Sequence, residues 1–411
     1  MPRQDLVAGL DIGTTKICCV TAEPGEGGSV IVTGVGISPS TGLKRGIVVD
    51  LDATVQAIED AATKAARQSG RDIYSVYAGV TGEHISSLNS HGVIAITNAD
   101  REIRPEDVER VEEASRVIVI PPDRRILHAI PRAYAVDGQN GIKHPVGMSG
   151  TRLEVETHIV TGAQTFLENV EKCVSRAGLA LEEMVLEPIA AAEAVVSSDE
   201  KDLGVCVVDI GGGTTDVGVF YEGEIYYSAV LPIGGNHVTN DVAQLLRVAV
   251  DEAERVKIKY GNASADAVSE EEKFPITQIG RSEPRHLRRR ALCEIIEARM
   301  QELLQMVQKE IRKSGVSDLL PAGVILTGGG SLLKGTQDVA SEFLGMPVRF
   351  GRPGHISGLA DAVAGPEFAT AVGLLLFGAH HTATRRQAAA ASPFGSLSRL
   401  FTGLRSRLRT E

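Results

Sequence analysis

The chain has 411 residues, of which 43% are hydrophobic, so it is long enough to form two domains with buried cores. Its formal net charge of −11 argues against nucleic acid as the main partner. The five cysteines form no Cys-x-x-Cys pair and the ten histidines have no metal-ligand spacing, which argues against disulfides and a zinc site. No signal peptide is predicted, and no apolar run approaches the roughly 20 residues that a membrane span needs. The sequence therefore predicts a cytosolic, soluble body.

The first predicted element is a strand, a tight turn and a second strand centred on Asp11-Ile12-Gly13-Thr14-Thr15-Lys16. Apolar runs flank this motif at residues 6–10 and 17–20. Glycine lets backbone N–H groups approach an anion, and the threonine hydroxyls add donors, so the turn predicts a phosphate site. An aspartate at the mouth of such a turn can hold Mg²⁺ through water. The candidate residues here are Asp11, Gly13, Thr14, Thr15 and Lys16.

The rest of the first half predicts alternating strands and helices. The pattern predicts strands near residues 31–36, 46–50 and 74–80, and a helix over 52–68. A strand at 157–161 and a helix over 164–176 continue the same domain, which makes residues 84–160 an inserted β/α subdomain. Within the insert, Pro105 opens a helix, and strands are predicted at 93–96, 124–130, 132–136 and 152–156.

The second half opens on a near copy of the first motif, Asp209-Ile210-Gly211-Gly212-Gly213-Thr214-Thr215-Asp216. It lies in a predicted three-strand meander over 205–231, and its candidate residues are Asp209, Gly211, Gly212, Gly213, Thr214 and Thr215. A helical stretch to Tyr260 follows, and residues 262–320 are predicted to be helical and highly charged, with a long helix over 286–313. Two matching hairpins that face each other would hold a polyphosphate from both sides.

A third glycine cluster follows a buried strand at 324–327 and comprises Gly328, Gly329, Gly330 and Ser331. Ser331 is predicted to cap the N-terminus of a helix that Gly345 ends. A helix N-terminus behind glycines attracts phosphate and lets a flat ring lie against the backbone. Any one cluster can be an ordinary glycine turn, but three clusters in this order favour a nucleotide between the two halves.

The order and content of these motifs resemble the actin, Hsp70 and sugar-kinase superfamily of ATP-binding proteins. The resemblance implies an α/β, actin-like fold of two related mixed-sheet domains around a cleft for ATP and Mg²⁺. Asp11 and Asp209 would then serve the metal through water, and Glu254 and Lys257 match positions around the ribose and base. Glu187 matches the carboxylate that orients water in bacterial actins, although it can instead be a structural cap before Pro188. Turnover is expected to be slow at most.

The insert after Gly79-Val80-Thr81-Gly82 and the segment Gly358-Leu359-Ala360-Asp361 are similar to the FtsA family of bacterial cell-division proteins. The pilus-assembly protein PilM shares the insert. MreB-type shape proteins should lack the insert, and a metabolite kinase needs an acceptor pocket that the sequence does not show. The predicted domains are a first actin-like domain (1–83 and 161–202), the inserted subdomain (84–160), a second actin-like domain (203–233 and 321–380), its helical subdomain (234–320), a flexible linker (381–393) and a terminal helix (394–411).

The terminal segment predicts an amphipathic helix. At helical spacing its apolar residues share one face, and arginines lie at or beyond the edges of that face, where they can reach lipid headgroups. Such a helix lies in the plane of an anionic bilayer. The residues involved are Phe394, Leu397, Leu400, Phe401, Leu404, Leu408, Arg399, Arg405, Arg407 and Arg409. A helix docked on its own domain is the alternative.

The FtsA resemblance implies several partners. The protein would form actin-like filaments, attach the tubulin-like protein FtsZ to the cytoplasmic face of the inner membrane at the septum, and receive later division proteins on the insert. Arg299, in Ile295-Ile296-Glu297-Ala298-Arg299, matches the helix that binds the FtsZ tail. Arg288, Arg289 and Arg290 are a second candidate set for the acidic tail, although such a run is more often a solvated helix face.

Overall fold

The computed structural model describes residues 6–25, 29–281 and 283–391, with backbone only over 383–391. The first domain is built on a six-stranded sheet in the order β11-β6-β1-β2-β3-β19. Its chain-order elements up to the insert are β1 (Val7–Ile12), β2 (Lys16–Pro24), β3 (Val30–Pro39), β4 (Leu43–Lys44), β5 (Ile47–Val48), α1 (Leu51–Ser69) and β6 (Ser75–Val80). After the insert come α3 (Gln164–Arg176), β11 (Ala180–Leu186), α4 (Glu187–Val195) and α5 (Ser198–Leu203).

The insert is a four-stranded antiparallel sheet in the order β7-β10-β8-β9, with one helix packed against it. Its elements are β7 (Ser86–Ala95), α2 (Pro105–Arg116), β8 (Arg124–Val136), β9 (Gln139–Ile142) and β10 (Arg152–Ala163). The sequence predicted two strands in place of β8 and two in place of β10. Each is instead one continuous strand. In β8 the pairing with β10 shifts by one residue next to Pro131, and such an irregularity lets a residue without an N–H remain in the strand.

The second domain repeats the strand pattern of the first. Its sheet has the order β14-β13-β12-β17-β18. The strands β12, β17 and β18 run parallel, like β1, β6 and β11 of the first sheet. The strands β13 and β14 continue the sheet by antiparallel pairing, like β2 and β3. From β12 to the end of the described residues, the elements in chain order are β12 (Val205–Ile210), β13 (Thr215–Tyr221), β14 (Glu224–Leu231), α6 (Gly235–Leu246), α7 (Val250–Tyr260), β15 (Lys273–Ile276), β16 (Arg285–Arg288), α8 (Arg289–Lys313), β17 (Val324–Thr327), α9 (Thr336–Leu344), β18 (Val348–Phe350), β19 (Ile356–Gly358) and α10 (Ala369–Ala391).

Residues 262–320 are not uniformly helical, and in this respect the prediction is wrong. The strands β15 and β16 form an antiparallel hairpin between α7 and α8. Phe274 and Ile276 are buried in the core of the helical subdomain while Pro275 between them is exposed. This alternation has the period of a strand. Arg288 therefore lies on a strand, and Arg289 and Arg290 begin α8.

The C-terminal part of the chain differs from the predicted domain boundary. The strand β19 pairs with β3 of the first sheet, and α10 packs against β1 and β2 of that sheet, although both were assigned to the second domain. The helix α4 packs against β12 and β13, so the two helices cross between the halves. The crossing is close, because a Cβ on Gly373 would lie 1.7 Å from the carbonyl oxygen of Ala190.

The stretch predicted as a linker also differs from the structure. The helix α10 continues through residues 381–391, where five alanines are found. Alanine has the highest helix propensity of all residues, so the composition supports continuation of the helix. The predicted membrane helix, residues 394–411, lies outside the described residues. Among the helices in the described ranges, none is both long and apolar enough to cross a bilayer.

Candidate functional site

The two glycine turns meet across the cleft between the domains. The first joins β1 to β2, and the second joins β12 to β13. A Cβ on Gly212 would lie 2.0 Å from Thr15 Oγ1, and one on Gly213 would lie 2.7 Å from Thr14 Oγ1. Only glycine permits this approach, and the structure thus brings together the two predicted phosphate turns.

Lys16 lies at the start of β2 and points across the cleft. Its Nζ donates to the carbonyl oxygen of Glu367 at 2.7 Å and stands 3.9 Å from the centre of the Phe368 ring. The ammonium group is close enough to Asp11 to offset part of the rise that burial causes in the pKa of that carboxyl. Lys16 therefore brings a positive charge to the first turn, and its side chain is held by Glu367 and Phe368, the two residues that directly precede α10.

Four carboxyl groups are buried beside the two turns: Asp11, Glu187, Asp209 and Asp216. Burial, partly offset by Lys16, raises the pKa of Asp11 to about 7, and burial raises the pKa of Asp216 to about 8. Burial and the three neighbouring carboxylates raise the pKa of Glu187 well above its usual range. Burial also raises the pKa of Asp209. The site thus clusters carboxyl groups whose ionised form the protein alone disfavours, and which a bound cation would favour.

One oxygen of this cluster has no protein partner. Glu187 is the first residue of α4, and its Oε1 is buried with no hydrogen bond to any residue in the described ranges. Buried polar atoms are normally paired, so this atom marks a place for a ligand group. Within the part of the chain that the structure describes, no three acidic, histidine or cysteine side chains are arranged to hold a metal directly. The clustered charge fits a hydrated Mg²⁺, which uses few carboxylates and retains water.

Three further polar residues belong to this site, although the sequence analysis did not assign them to it. Thr81 Oγ1 donates to Asp216 Oδ1 at 2.5 Å, and Thr370 Oγ1 donates to Asp209 Oδ2 at 2.8 Å. Asp216 ends the second motif and Thr81 lies in the segment Gly79-Val80-Thr81-Gly82, so both lay within recognised patterns. The Thr214 hydroxyl also bonds to Asp216. Thr215, by contrast, donates to the Ile233 carbonyl at 2.8 Å, so its hydroxyl is engaged within its own domain.

A pocket of about 200 Å³ adjoins the glycine turns on the second domain. It combines predicted site residues with an apolar wall: Ile210, Gly234, Gly235, Val238, Glu254, Lys257, Ile258, Met300, Leu303, Gly329, Gly330, Leu332 and Leu333. The wall includes Ile258, which is 65% exposed. An exposed apolar side chain beside glycine backbone offers a surface on which a flat ring can pack.

The polar side of this pocket is organised around Lys257. Its Nζ forms an ion pair with Glu254 Oε2 at 2.7 Å and donates to Thr239 Oγ1 at 2.8 Å and to the Gly235 carbonyl at 3.2 Å. The Thr239 hydroxyl lies within hydrogen-bond distance of both Glu254 Oε2 and the Gly235 carbonyl, and its single proton can be donated to one of them. The network fixes the two side chains at the pocket rim, where the sequence analysis predicted ribose and base contacts.

The third glycine cluster forms the pocket floor, but it does not cap a helix as predicted. Gly329–Leu332 is a 3₁₀ turn, and α9 begins only at Thr336 after Gly335. The Ser331 hydroxyl donates to the Gly328 carbonyl at 2.7 Å instead of accepting from a helix N–H. Gly328 itself lies against Asp209, since a Cβ there would come within 2.2 Å of Asp209 Oδ1.

The candidate partner arginines lie away from the cleft and are mostly engaged in ion pairs. Arg299 contacts both oxygens of Asp241, at 2.5 and 3.0 Å, and also Glu302. Two more arginines are held in the same way: Arg289 by Glu272 and the Tyr260 carbonyl, and Arg290 by Asp266, Glu270 and Glu294. Arg288 is exposed. Arg290 and Arg299 are nine residues apart on α8 and therefore point to opposite sides of that helix, and Arg288 is the most accessible of the four.

Comparison with protein families matches the two parts of the chain separately. The model of cell division protein FtsA matches residues 206–373, and the model of the SHS2 domain inserted in FtsA matches residues 82–161. Curated relatives extend the match over most of the chain. Cell division protein FtsA of Pseudomonas aeruginosa is 46% identical over 373 residues, which cover 91% of this chain and 89% of the relative. That of Neisseria meningitidis is 43% identical over 91% of this chain and 90% of the relative.

The chain belongs to the FtsA family of cell-division proteins. The insert is the SHS2 domain of that family, and the family match separates this chain from pilus-assembly and MreB-type proteins.

Solved structures show that the fold of this chain is actin-like. A chain of the PilM-PilN type IV pilus biogenesis complex aligns with a TM-score of 0.67 at 20% identity and covers 92% of this chain and 99% of that chain. MreB 5 of Spiroplasma citri bound to AMPPNP aligns with a TM-score of 0.56 at 13% identity, covering 94% and 100%. The MamK double helical filament aligns with a TM-score of 0.52 at 14% identity, covering 90% and 98%.

Proposed function

We propose that this FtsA-family protein binds ATP with Mg²⁺ between its two actin-like domains and uses the nucleotide to set its conformational or filament state. The observation that carries the proposal is the contact of the two glycine turns beside four buried carboxyl groups. Two such turns present backbone N–H groups and hydroxyls to a polyphosphate from both sides. The solved relative with bound AMPPNP supports a nucleotide as the ligand.

The chain supplies a separate role for each part of the site. The turns around Gly13 and Gly211–Gly213, with Thr14, Thr15 and Thr214, would hold the phosphates. Asp11 and Asp209 would hold the waters of Mg²⁺, while Lys16 balances phosphate charge. The pocket with Glu254, Lys257, Gly328–Gly330 and Ser331 would take the ribose and base. When bound, MgATP supplies a γ-phosphoryl group that is open to attack by water.

Glu187 is the candidate for orienting the attacking water. It is buried beside Asp11, Asp209 and Asp216, and its Oε1 lacks a protein partner in the described residues. The alternative role, a structural cap before Pro188, would instead be supported by a hydrogen bond that a backbone N–H in the first turn of α4 donates to Oε1. We therefore propose slow hydrolysis through Glu187.

Titration with a non-hydrolysable ATP analogue and Mg²⁺ tests the proposal. In Gly235→Val the new Cβ would lie 3.7 Å from Lys257 Nζ and 3.8 Å from Gly330 Cα, so the backbone tolerates it while the side-chain branches fill the pocket. We expect affinity to fall at least about tenfold. Gly354→Val is the matched control, since a Cβ there meets only the Ala194 carbonyl at 3.9 Å. Equal affinity of wild type and Gly235→Val would contradict the proposal.

We further propose that the protein tethers FtsZ to the inner membrane. Support comes from the FtsA family match and from the amphipathic pattern of residues 394–411, from Phe394 to Arg409. Anionic vesicles should sediment the full chain but not a chain that ends at residue 393. Equal sedimentation of the two chains would rule out this anchor.

The FtsZ tail would bind the helical subdomain either at Arg299 or at the run Arg288–Arg290. Arg288→Glu is the informative variant, because it reverses an exposed charge without breaking an ion pair such as Arg299–Asp241. We expect weaker pull-down of FtsZ at low salt. Unchanged pull-down with both Arg288→Glu and Arg299→Glu would exclude both positions. Self-association into filaments, which the MamK filament supports, and recruitment of later division proteins by the insert complete the proposal.

A further inference from the structure

The inserted subdomain contacts the residue that immediately precedes Glu187. Leu186 is the last residue of β11, and Glu187 is the first residue of α4. The backbone N–H of Leu186 donates to Nε2 of His128, on β8 of the insert, at 3.0 Å. Both residues are buried. Burial lowers the pKa of His128 to about 4, so the ring is neutral at physiological pH and Nε2 can accept the bond.

This hydrogen bond is hard to replace. Leu186 is fully buried, so its N–H cannot turn to solvent when the imidazole is removed. An unpaired buried donor is costly, and the strand end would shift to reduce that cost. The next residue along the chain is Glu187, and Pro188 follows it without an N–H of its own. A shift at Leu186 is therefore transmitted directly to the Glu187 carboxylate.

The same insert is also fixed to the second domain. His158 of β10 bonds through Nε2 to Ser228 Oγ at 3.0 Å, and Ser87 of β7 donates to the Ser228 carbonyl at 2.6 Å. Ser228 lies on β14, which pairs with β13, the strand on which Asp216 stands. The insert thus contacts both domains through buried polar groups. A rotation of the insert would break these bonds on both sides of the cleft.

We propose that His128 is a positioning residue through which the inserted subdomain sets the place of Glu187 and thereby regulates hydrolysis of bound nucleotide. The inference rests on the proposed nucleotide function. It makes the insert a control element of the ATP site: a partner that turns the insert alters the Leu186–Glu187 segment without touching the nucleotide.

Three variants of the full chain test this. His128→Phe keeps a ring but removes the acceptor, His128→Gln places an amide oxygen near the former Nε2, and His144→Phe changes an exposed histidine of the same insert. The first readout is hydrogen–deuterium exchange of the peptide around residues 184–192 in nucleotide-free protein. We expect exchange about tenfold faster in His128→Phe, with His128→Gln and His144→Phe close to wild type.

The second readout separates ATP affinity from turnover. We expect His128→Phe to lower kcat about tenfold while KM stays near that of wild type, and His128→Gln to restore most of kcat. If His128→Phe does not fold, His128→Asn, whose amide ends short of Leu186, replaces it. The inference would be overturned if hydrogen–deuterium exchange in His128→Phe equalled that of wild type. It would also be overturned if exchange became faster while kcat stayed unchanged. Failure of the wild type to bind ATP would instead refute the proposed function. The exchange experiment would still test whether His128 holds the Leu186–Glu187 segment, because it uses nucleotide-free protein.

Discussion

Replacing Asp216 by asparagine is expected to stabilise the nucleotide-free protein at pH 8. Asp216 is 1% exposed, and its pKa is raised from 3.8 to about 8, first by burial and then by Asp209 and Asp11. A shift of about four units corresponds to about 6 kcal/mol of unfolding free energy at most. Because neighbouring carboxyl groups share the cost, we expect asparagine to gain about 2–4 kcal/mol. Thr81 can still donate to the amide oxygen.

The expected pH dependence has a definite sign. Since the folded pKa lies above the unfolded value, the stability that this carboxyl contributes is present below about pH 4 and is lost as pH rises to about 8. The advantage of Asp216→Asn should therefore be small at pH 5 and large at pH 8. Urea unfolding in EDTA at both pH values measures it, with Asp72→Asn as an exposed control. A variant less stable than wild type at pH 8 would refute the reasoning.

Three further outcomes are expected. Glu187→Gln should bind the ATP analogue like wild type but turn over ATP at least about tenfold more slowly; equal turnover in a phosphate-release assay would remove Glu187 from the mechanism. Because the pKa of Asp11 is about 7 and a cation favours its ionised form, binding of MgATP at pH 7 should release about half a proton. Calorimetry in two buffers of different ionisation enthalpy measures that release, and no difference between the buffers would contradict it. Lys257→Met should weaken ATP binding about tenfold with little change in thermal midpoint, and an affinity equal to that of wild type would exclude Lys257 from the pocket.

Local patterns predicted the parts of the site that are contiguous in sequence. The glycine and threonine spacing of Asp209–Asp216 specifies a hairpin whatever surrounds it, and the structure has that hairpin. Local patterns could not predict the hydrogen-bonded pairs that complete the site. Thr81 meets Asp216 across 135 residues and Thr370 meets Asp209 across 161 residues. Contacts of this kind depend on how two domains face each other, which no local period encodes.

The errors have similar causes. The hairpin of β15 and β16 has strands of four residues each, too short for a clear period of two within a charged stretch. Ser331 has the residue type of a helix cap, but a tight 3₁₀ turn takes its hydroxyl first. The assignment of α10 to the second domain followed chain order, whereas its packing is against β1 and β2.

The crossing of α4 and α10 restricts how the domains can move. At Gly373 the main chains of the two helices touch, with no side chain between them that could change rotamer and absorb a displacement. Sideways sliding would drive backbone atoms into each other, whereas twisting about the point of contact leaves their separation unchanged. The contact at Gly373 therefore opposes sliding of one helix along the other and leaves twisting as the motion that preserves the main-chain separation.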